Sequence, residues 1–200
     1  RLQGSEAVPG GWQLTFDEGT TDLARFVIDA TGRTATFARA RGARFHAADR
    51  LTGFARFCQV EAGSDPRMLV EACPDGWWYT APLPGGLRVV ACMTDLDLAR
   101  DLALPGSEAW DRLLGQTHWI KRSVGALTPC LVRSADSRIL SPMTGPGWVA
   151  TGDAAMAFDP LSALGITKAL RSGILASFAA ADTLSSDRES TALARYEALH

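Results

Sequence analysis

The chain predicts an α/β fold with α+β character, on three observations. A strand, a tight turn and a long helix follow one another from Gly147 to Ser172. Two further strand-like stretches stand near the start, one alternating and one almost continuously apolar. Between these regions, from Leu51 to Thr94, short β-rich runs and a hairpin form an antiparallel layer of their own. The expected organisation is one unit from residues 1–42 and 136–200, and a second, a sheet with covering helices, from residues 43–135.

Taken in order, Gly11 to Asp17 sets Trp12, Leu14 and Phe16 against Gln13, Thr15 and Asp17, which predicts a strand with one exposed face. Glu18-Gly19-Thr20 turns the chain. Ala24 to Ala30 reads as a single buried strand that ends at Thr31-Gly32-Arg33. Thr34 to Arg50, rich in arginine (Arg39, Arg41, Arg44, Arg50), reads as a solvated, mobile connection with His46 on its surface. Leu51 to Val60 and Met68 to Cys73 are strand candidates, separated by a turn at Gly63-Ser64-Asp65-Pro66. Trp77 to Thr94 is the clearest hairpin, turning at Pro84-Gly85-Gly86. Trp77, Tyr79, Ala81 and Leu83 share one face of its first arm, with Trp78, Thr80 and Pro82 on the other. Pro82 predicts an edge position or a bulge.

Helical patterning then takes over. Asp95 to Leu104 is acidic early, apolar at Leu96, Leu98 and Leu102, and stopped by Pro105-Gly106. Ser107 is expected to cap a helix that turns Trp110, Leu113 and Leu114 inward. Thr117 to Val124 predicts a third short helix; His118 within it is a packed or surface residue rather than an acid or base. Leu131 to Leu140 returns to the sheet, and the tail from Asp187 to His200 is helical, with Leu193, Tyr196 and Leu199 on one stripe.

Composition narrows the function classes. Hydrophobic residues make up 46% of 200, enough for a sizeable core. A net charge of −2 with no basic run recommends neither nucleic acid nor an anionic membrane as partner. Apolar stretches fall short of the ~20 residues a membrane span needs. The four cysteines (Cys58, Cys73, Cys92, Cys130) form no C-x-x-C pair and read as reduced thiols of a cytoplasmic protein. Three scattered histidines do not suggest a metal site.

The chemistry concentrates at Gly147–Ser172. Trp148 to Thr151 is the strand candidate, and Gly152-Asp153 stands where it ends. Asp159-Pro160 leads into a helix predicted from Leu161 to about Thr183; proline suits a first turn, where no N–H bond is lost. Ile166, Leu170, Ile174 and Phe178 recur at four-residue spacing, while the other faces carry mostly Ala, Ser, Thr and Gly. A helix start gathers unpaired N–H groups and partial positive charge, a seat for an anionic or electron-rich ligand. Asp153 is an acceptor suited to a sugar hydroxyl. The same residue types also suit a buried turn in which Asp153 only caps.

Gly152-Asp153-Ala154-Ala155 followed by Asp159-Pro160-Leu161-Ser162-Ala163-Leu164-Gly165-Ile166 resembles the second FAD motif of flavin-dependent aromatic hydroxylases and halogenases. Val27 to Arg33 is similar to the DATGR stretch of the same flavoproteins. Gly76 to Leu83 is similar to their W-x-W-x-I-P stretch, with Tyr79 at the second tryptophan and Ala81 at the isoleucine. The resemblance implies that Gly152, Asp153, Pro160, Leu164, Gly165, Ile166 and Gly32 meet FAD. Asp153 then holds the ribityl chain, and the proline-led turn faces the isoalloxazine. Trp78 and Tyr79 become candidates for a substrate pocket. The fold implied is the C-terminal part of an FAD-binding hydroxylase-type fold. Its dinucleotide-binding βαβ unit is expected upstream of Arg1, since no G-x-G-x-x-G occurs in these residues.

The resemblance further implies oxidation of an aromatic or electron-rich substrate, small or carrier-tethered, through a flavin C4a-hydroperoxide. The FAD is expected to be reduced by NAD(P)H directly or through a flavin reductase. A monooxygenase is the first expectation. A halogenase or related FAD-dependent reductase is the second, placed in doubt by the degenerate tryptophan motif. A non-enzymatic binding module is the third. No residue stands out as an acid or base of the chemistry.

Overall fold

A computed structural model describes residues 1–61, 63, 65–185 and 191–199. The chain folds as two compact units, residues 1–48 with 137–200, and residues 49–136. The first crossing falls after Ala48 rather than after residue 42, because the arginine-rich stretch is not a free connection. It contains α1 (Thr36–Ala40) and a strand, Arg44–Ala47, that pairs with Arg138–Ser141.

In the first unit, β1 (Leu2–Val8), β2 (Gly11–Phe16) and β3 (Thr21–Ala24) form an antiparallel meander. The apolar run 24–30 is not one strand. Ala24 closes the meander opposite Trp12, and β4 (Val27–Asp29) begins anew, parallel to Trp148–Ala150. Helix α1 buries Phe37 and Ala38 and exposes Arg39, whereas Arg41, just beyond it, is half-buried over the Trp12 ring at 5.0 Å. Phe37 packs edge-on against Trp12, with ring centroids 5.1 Å apart, and against Trp148 at 6.1 Å. Such contacts add to the apolar area each ring removes from water. The Arg44–Ala47 strand is β5.

The second unit is a five-stranded antiparallel sheet, made of β6 (Leu51–Gln59), β7 (Leu69–Cys73), β8 (Gly76–Leu83), β9 (Leu87–Asp95) and β10 (Leu131–Ser134) in the order β10-β6-β9-β8-β7. The predicted hairpin is β8–β9, closing with Leu83 opposite Leu87. Pro82 pairs only toward β9, because β7 ends its pairing at Thr80. Ser64, in the expected turn at 63–66, lies outside the described residues. Helix α2 (Leu96–Asp101) is shorter than its pattern, and α3 (Ser107–Gln116) takes Gly106, not Ser107, as its cap residue.

Trp110, Leu113 and Leu114 of α3 are buried as predicted. Residues 117–124 give only a 3-10 turn, Ile120–Ser123, and it is anchored by Glu71. That carboxylate accepts the backbone N–H groups of His118, Trp119 (3.0 Å) and Ile120 (3.2 Å). Burial pushes the Glu71 carboxyl up, but these bonds outweigh it and leave it below the ordinary carboxylate range.

The chain returns to the first unit with β11 (Arg138–Ser141), β12 (Thr144–Gly145), β13 (Trp148–Ala150) and β14 (Met156–Ala157). The run 131–140 therefore divides, β10 pairing with β6 and β11 with β5 and β14. Strands β12-β13-β4 form the sheet that carries the parallel β13–β4 pair. Helices α4 (Gly165–Ser185) and α5 (Thr191–Ala198) complete the unit; residues 187–190 and His200 of the expected tail helix lie outside the described residues. Among the described residues no helix is long and apolar enough to cross a membrane.

The orientation of α4 follows from side-chain size. Ser172, Ala176, Ala179 and Ala180 are buried, and this small-residue face lets the helix approach β13, the turn after it and α5 closely. Ile166, Leu170, Ile174 and Phe178 stand on the outer side, 57–79% exposed.

Candidate cofactor site

The site is built where the parallel pair β4–β13 ends. The Thr151 N–H donates to the Asp29 carbonyl at 2.9 Å, so the two strands stop together. Each then enters a 3-10 turn, Gly32–Thr34 after β4 and Gly152–Ala154 after β13, and the two turns pack against each other. Gly32 (φ +68°) and Gly152 (φ +60°) both adopt the left-handed conformation. Only glycine does so without strain. A Cβ at Gly152 would meet the Ala169 methyl at an ordinary 3.6 Å, so backbone conformation, not space, demands glycine there.

Asp29, 1% exposed, belongs to the scaffold. Its Oδ1 accepts from the Thr31 N–H (3.0 Å) and hydroxyl (2.6 Å), and its Oδ2 from the Ala38 N–H (2.8 Å). The DATGR segment is thus locked by its own aspartate, which anchors α1 beneath the turn. Sequence reasoning gave that residue no role.

The Gly152 turn is pinned from behind by α4. The Ser172 hydroxyl accepts the Gly152 N–H at 3.0 Å and lies 3.0 Å from the Thr151 hydroxyl, while donating to the Ala169 carbonyl. The Tyr196 hydroxyl of α5 donates to the Ala150 carbonyl at 2.7 Å. Asp153 points the other way, 44% exposed. Its Oδ1 lies 3.5 Å from the Lys168 Nζ, and its Oδ2 has no partner among the described residues. Lys168, only 12% exposed, also donates to the Gly152 carbonyl at 3.1 Å and sits 5.4 Å from the Phe158 ring centroid. Burial pushes its ammonium below the ordinary value, and Asp153 offsets this only in part.

The approach to α4 differs from expectation. Pro160–Ser162 is a separate 3-10 turn, with the Asp159 carboxylate accepting the Leu161 N–H at 2.8 Å. Ala163, left-handed at φ +53°, breaks it, so α4 begins at Gly165 rather than Leu161. Pro160 therefore starts the approach turn. The first N–H groups of α4, at Gly165, Ile166 and Thr167, have no intrahelical acceptor. Leu164, Gly165 and Ile166 are exposed around them. Beside the turn a cleft of about 290 Å³ is bordered by Met156, Phe158, Leu164, Thr167, Lys168 and Arg171.

Of the sequence-predicted residues, Gly152 and Asp153 lie in the turn that packs against α4, Pro160 in the approach turn, Leu164, Gly165 and Ile166 at the start of α4, and Gly32 in the neighbouring turn. Trp78 and Tyr79 belong to the other unit. Trp78 does not line an open pocket: it is 2% exposed and packed edge-on against Trp110, centroids 4.9 Å apart, in the sheet–helix core. Tyr79, on the opposite face of β8, is half-buried. Two functional-looking residues escaped sequence reasoning, Lys168 and Ser172. Their signal is positional, since they are four residues apart on the inward face of α4.

These features fit the middle of a flavin nucleotide. An outward carboxylate matches ribityl hydroxyls, and a bare helix start between exposed apolar side chains matches an electron-rich ring. The mixed α/β architecture, with its antiparallel sheets, aligns with part of the flavin-dependent halogenase fold. No family model matches the chain. It is 32% identical over 181 residues to LodB of Marinomonas mediterranea, whose own assignment as an FAD-dependent oxidoreductase is inferred; the match covers 86% of this chain and 48% of LodB. The chain therefore spans about half the length of that relative.

It superposes on the flavin-dependent halogenase CmlS with a TM-score of 0.82 at 20% identity, over 99% of this chain and 38% of CmlS. On the peptidyl tryptophan dihydroxylase QhpG, essential for tryptophylquinone cofactor biogenesis, the TM-score is 0.77 at 25% identity, over 99% of this chain and 46% of QhpG. The chain is thus a relative of LodB over about half of that protein, and it shares the fold of part of the flavin-dependent halogenases.

Proposed function

We propose that the full-length protein is an FAD-dependent monooxygenase that hydroxylates an electron-rich aromatic group. The observation that carries this reading is the turn after β13, where a glycine-only backbone aims the half-exposed Asp153 carboxylate outward beside the bare start of α4. In it, Asp153 accepts a ribityl hydroxyl, and the N–H groups of Gly165 and Ile166 meet negative charge on the ring. Leu164 and Ile166 cover the ring with apolar surface and exclude water. Ser172 and Tyr196 keep the turn from shifting. When bound, FAD supplies oxygen activation: two electrons from NAD(P)H, delivered directly or through a flavin reductase, and two protons reduce O2 so that one oxygen atom enters a C–H bond and the other leaves as water.

Hydroxylation is favoured over halogenation by two observations. Tyr79 and Ala81 depart from the tryptophan motif of the halogenases, and the dihydroxylase QhpG shares 25% identity with the chain. QhpG acts on a tryptophan within a polypeptide, which supports an indole carried on a peptide or carrier beside a free aromatic molecule as the substrate. The overlap with CmlS keeps halide oxidation as the competing reading.

The test is the full-length protein with NADH, a flavin reductase, 18O2 and tryptophan-containing peptides, followed by mass spectrometry. One 18O atom per hydroxylation supports the reading. A product that forms only with bromide or chloride supports the halogenase reading instead. A colourless protein that ignores added FAD contradicts both.

A further inference from the structure

Lys168 is costly where it stands. A lysine with 12% of its side chain exposed has given up most of its hydration, and an ammonium does so only against compensating charge and hydrogen bonds. Its polar compensation comes from the turn that faces the flavin in this reading, through the Gly152 carbonyl at 3.1 Å and Asp153 Oδ1 at 3.5 Å, with the Phe158 ring adding a cation–π contact at 5.4 Å. A methionine there would pack the same volume without that cost. The other charged groups around it are Arg33, from the neighbouring turn, which opposes its charge, and Arg171 on its own helix, bordering the same cleft. Asp153 is therefore the counter-charge that Lys168 faces.

We propose that Lys168 is a positioning residue of the cofactor site, holding Asp153 with one oxygen inward and the other presented to the ribityl chain, and cancelling the carboxylate's charge so that negative charge can develop on the flavin beside it. The inference rests on the flavin reading of Asp153. Two consequences separate it from a merely structural role. Without the lysine, Asp153 leaves an uncompensated negative charge near the cofactor, which weakens binding of the reduced, negatively charged flavin more than that of the oxidised one. Because burial already lowers the ammonium's affinity for its proton, the charge is lost as pH rises through a value below that of an ordinary lysine. A purely structural lysine predicts equal weakening of both redox forms and no such pH dependence.

The experiment uses the full-length protein with Lys168→Met, Lys168→Arg and Asp153→Ala. FAD affinity and the potential of the bound flavin are measured from neutral to alkaline pH, with thermal midpoints of the apoproteins as the folding control. The expected result for Lys168→Met is FAD binding weakened about tenfold, with the reduced form weakened about a further tenfold, a potential about 30 mV more negative. Lys168→Arg restores the potential and keeps affinity flat with pH, because a guanidinium does not titrate there. Wild-type affinity falls as pH rises. If Asp153→Ala weakens binding while Lys168→Met matches wild type in affinity, potential and pH profile, the role of Lys168 is overturned and the flavin reading survives. If the wild-type protein binds no FAD, both fall.

Discussion

Two turns at the ends of neighbouring parallel strands look alike in outline and differ in what their aspartates do. After β4 the order is Asp29-Ala30-Thr31-Gly32; after β13 it is Thr151-Gly152-Asp153. Both glycines are left-handed and both turns are 3-10. Asp29 precedes its glycine, falls inside, and spends both oxygens on the protein's own donors. Asp153 follows its glycine and comes out half-exposed, while a serine hydroxyl from α4 does the internal bonding instead. The same strand-end geometry thus yields an inward carboxylate spent on the scaffold or an outward, half-exposed one, according to which side of the glycine it stands on. Removing each group in turn can break or sharpen that contrast.

The largest effect belongs to Asp29. Asp29→Ala leaves the Thr31 and Ala38 N–H groups without their acceptor and is expected to cost about 3 kcal/mol or more of stability, at about 1–3 kcal/mol for each buried unsatisfied group. Asp153→Ala should cost less, about 1 kcal/mol, because the carboxylate is half-exposed although its loss leaves Lys168 without its counter-charge. Denaturant unfolding of both variants measures the difference, and equal losses would erase the distinction between the two turns. Next is Gly152→Ala, expected to cost about 1–2 kcal/mol because the backbone must stay left-handed. Gly32→Ala should behave alike, since a Cβ there meets nothing within 4 Å. Ser172→Ala ranks third, at about 1 kcal/mol, because it leaves the Gly152 N–H without its buried acceptor.

How much of this was legible in the sequence follows the same division. The Gly152-Asp153 turn, the proline-led approach and the hairpin at 83–87 could be read because each depends on local backbone chemistry. The phase of elements packed on both sides could not. Arm β8 carries large aromatics on both faces, so alternation alone did not say that Trp78, not Tyr79, enters the core. Helix α4 shows its most obvious stripe at Ile166, Leu170, Ile174 and Phe178, yet the face that packs is the inconspicuous one of serine and alanine. Lys168 lies at the edge of that face, and its partners are sixteen and fifteen residues away, beyond any local pattern. Strand β5 was hidden because three of its four residues are exposed and its run is arginine-led. The start of α4 was misplaced because the left-handed Ala163 has no signature in residue type.

The smallest expected effect contrasts the units themselves. Cys92, buried in the sheet of the second unit, has its thiol pushed up to about 12, chiefly by burial and then by the neighbouring Cys73. Its proton is held more tightly folded than unfolded, so its contribution is fully present below about pH 9, the ordinary thiol value, and is lost as pH rises toward about 12. Cys92→Ala should flatten the alkaline end of the stability profile, and folded Cys92 should resist iodoacetamide at neutral pH whether or not FAD is present. Labelling that changes with FAD would show that this unit's core responds to the cofactor.

The most direct test of the central claim is the FAD dissociation constant of the full-length protein against that of Asp153→Ala. A lost charge-assisted hydrogen bond is worth about 1.5–3 kcal/mol, so affinity should fall roughly 10- to 100-fold while the apoprotein stays folded, its thermal midpoint lowered only slightly by the loss of the counter-charge of Lys168. An unaltered dissociation constant would contradict the assignment of that carboxylate to the flavin.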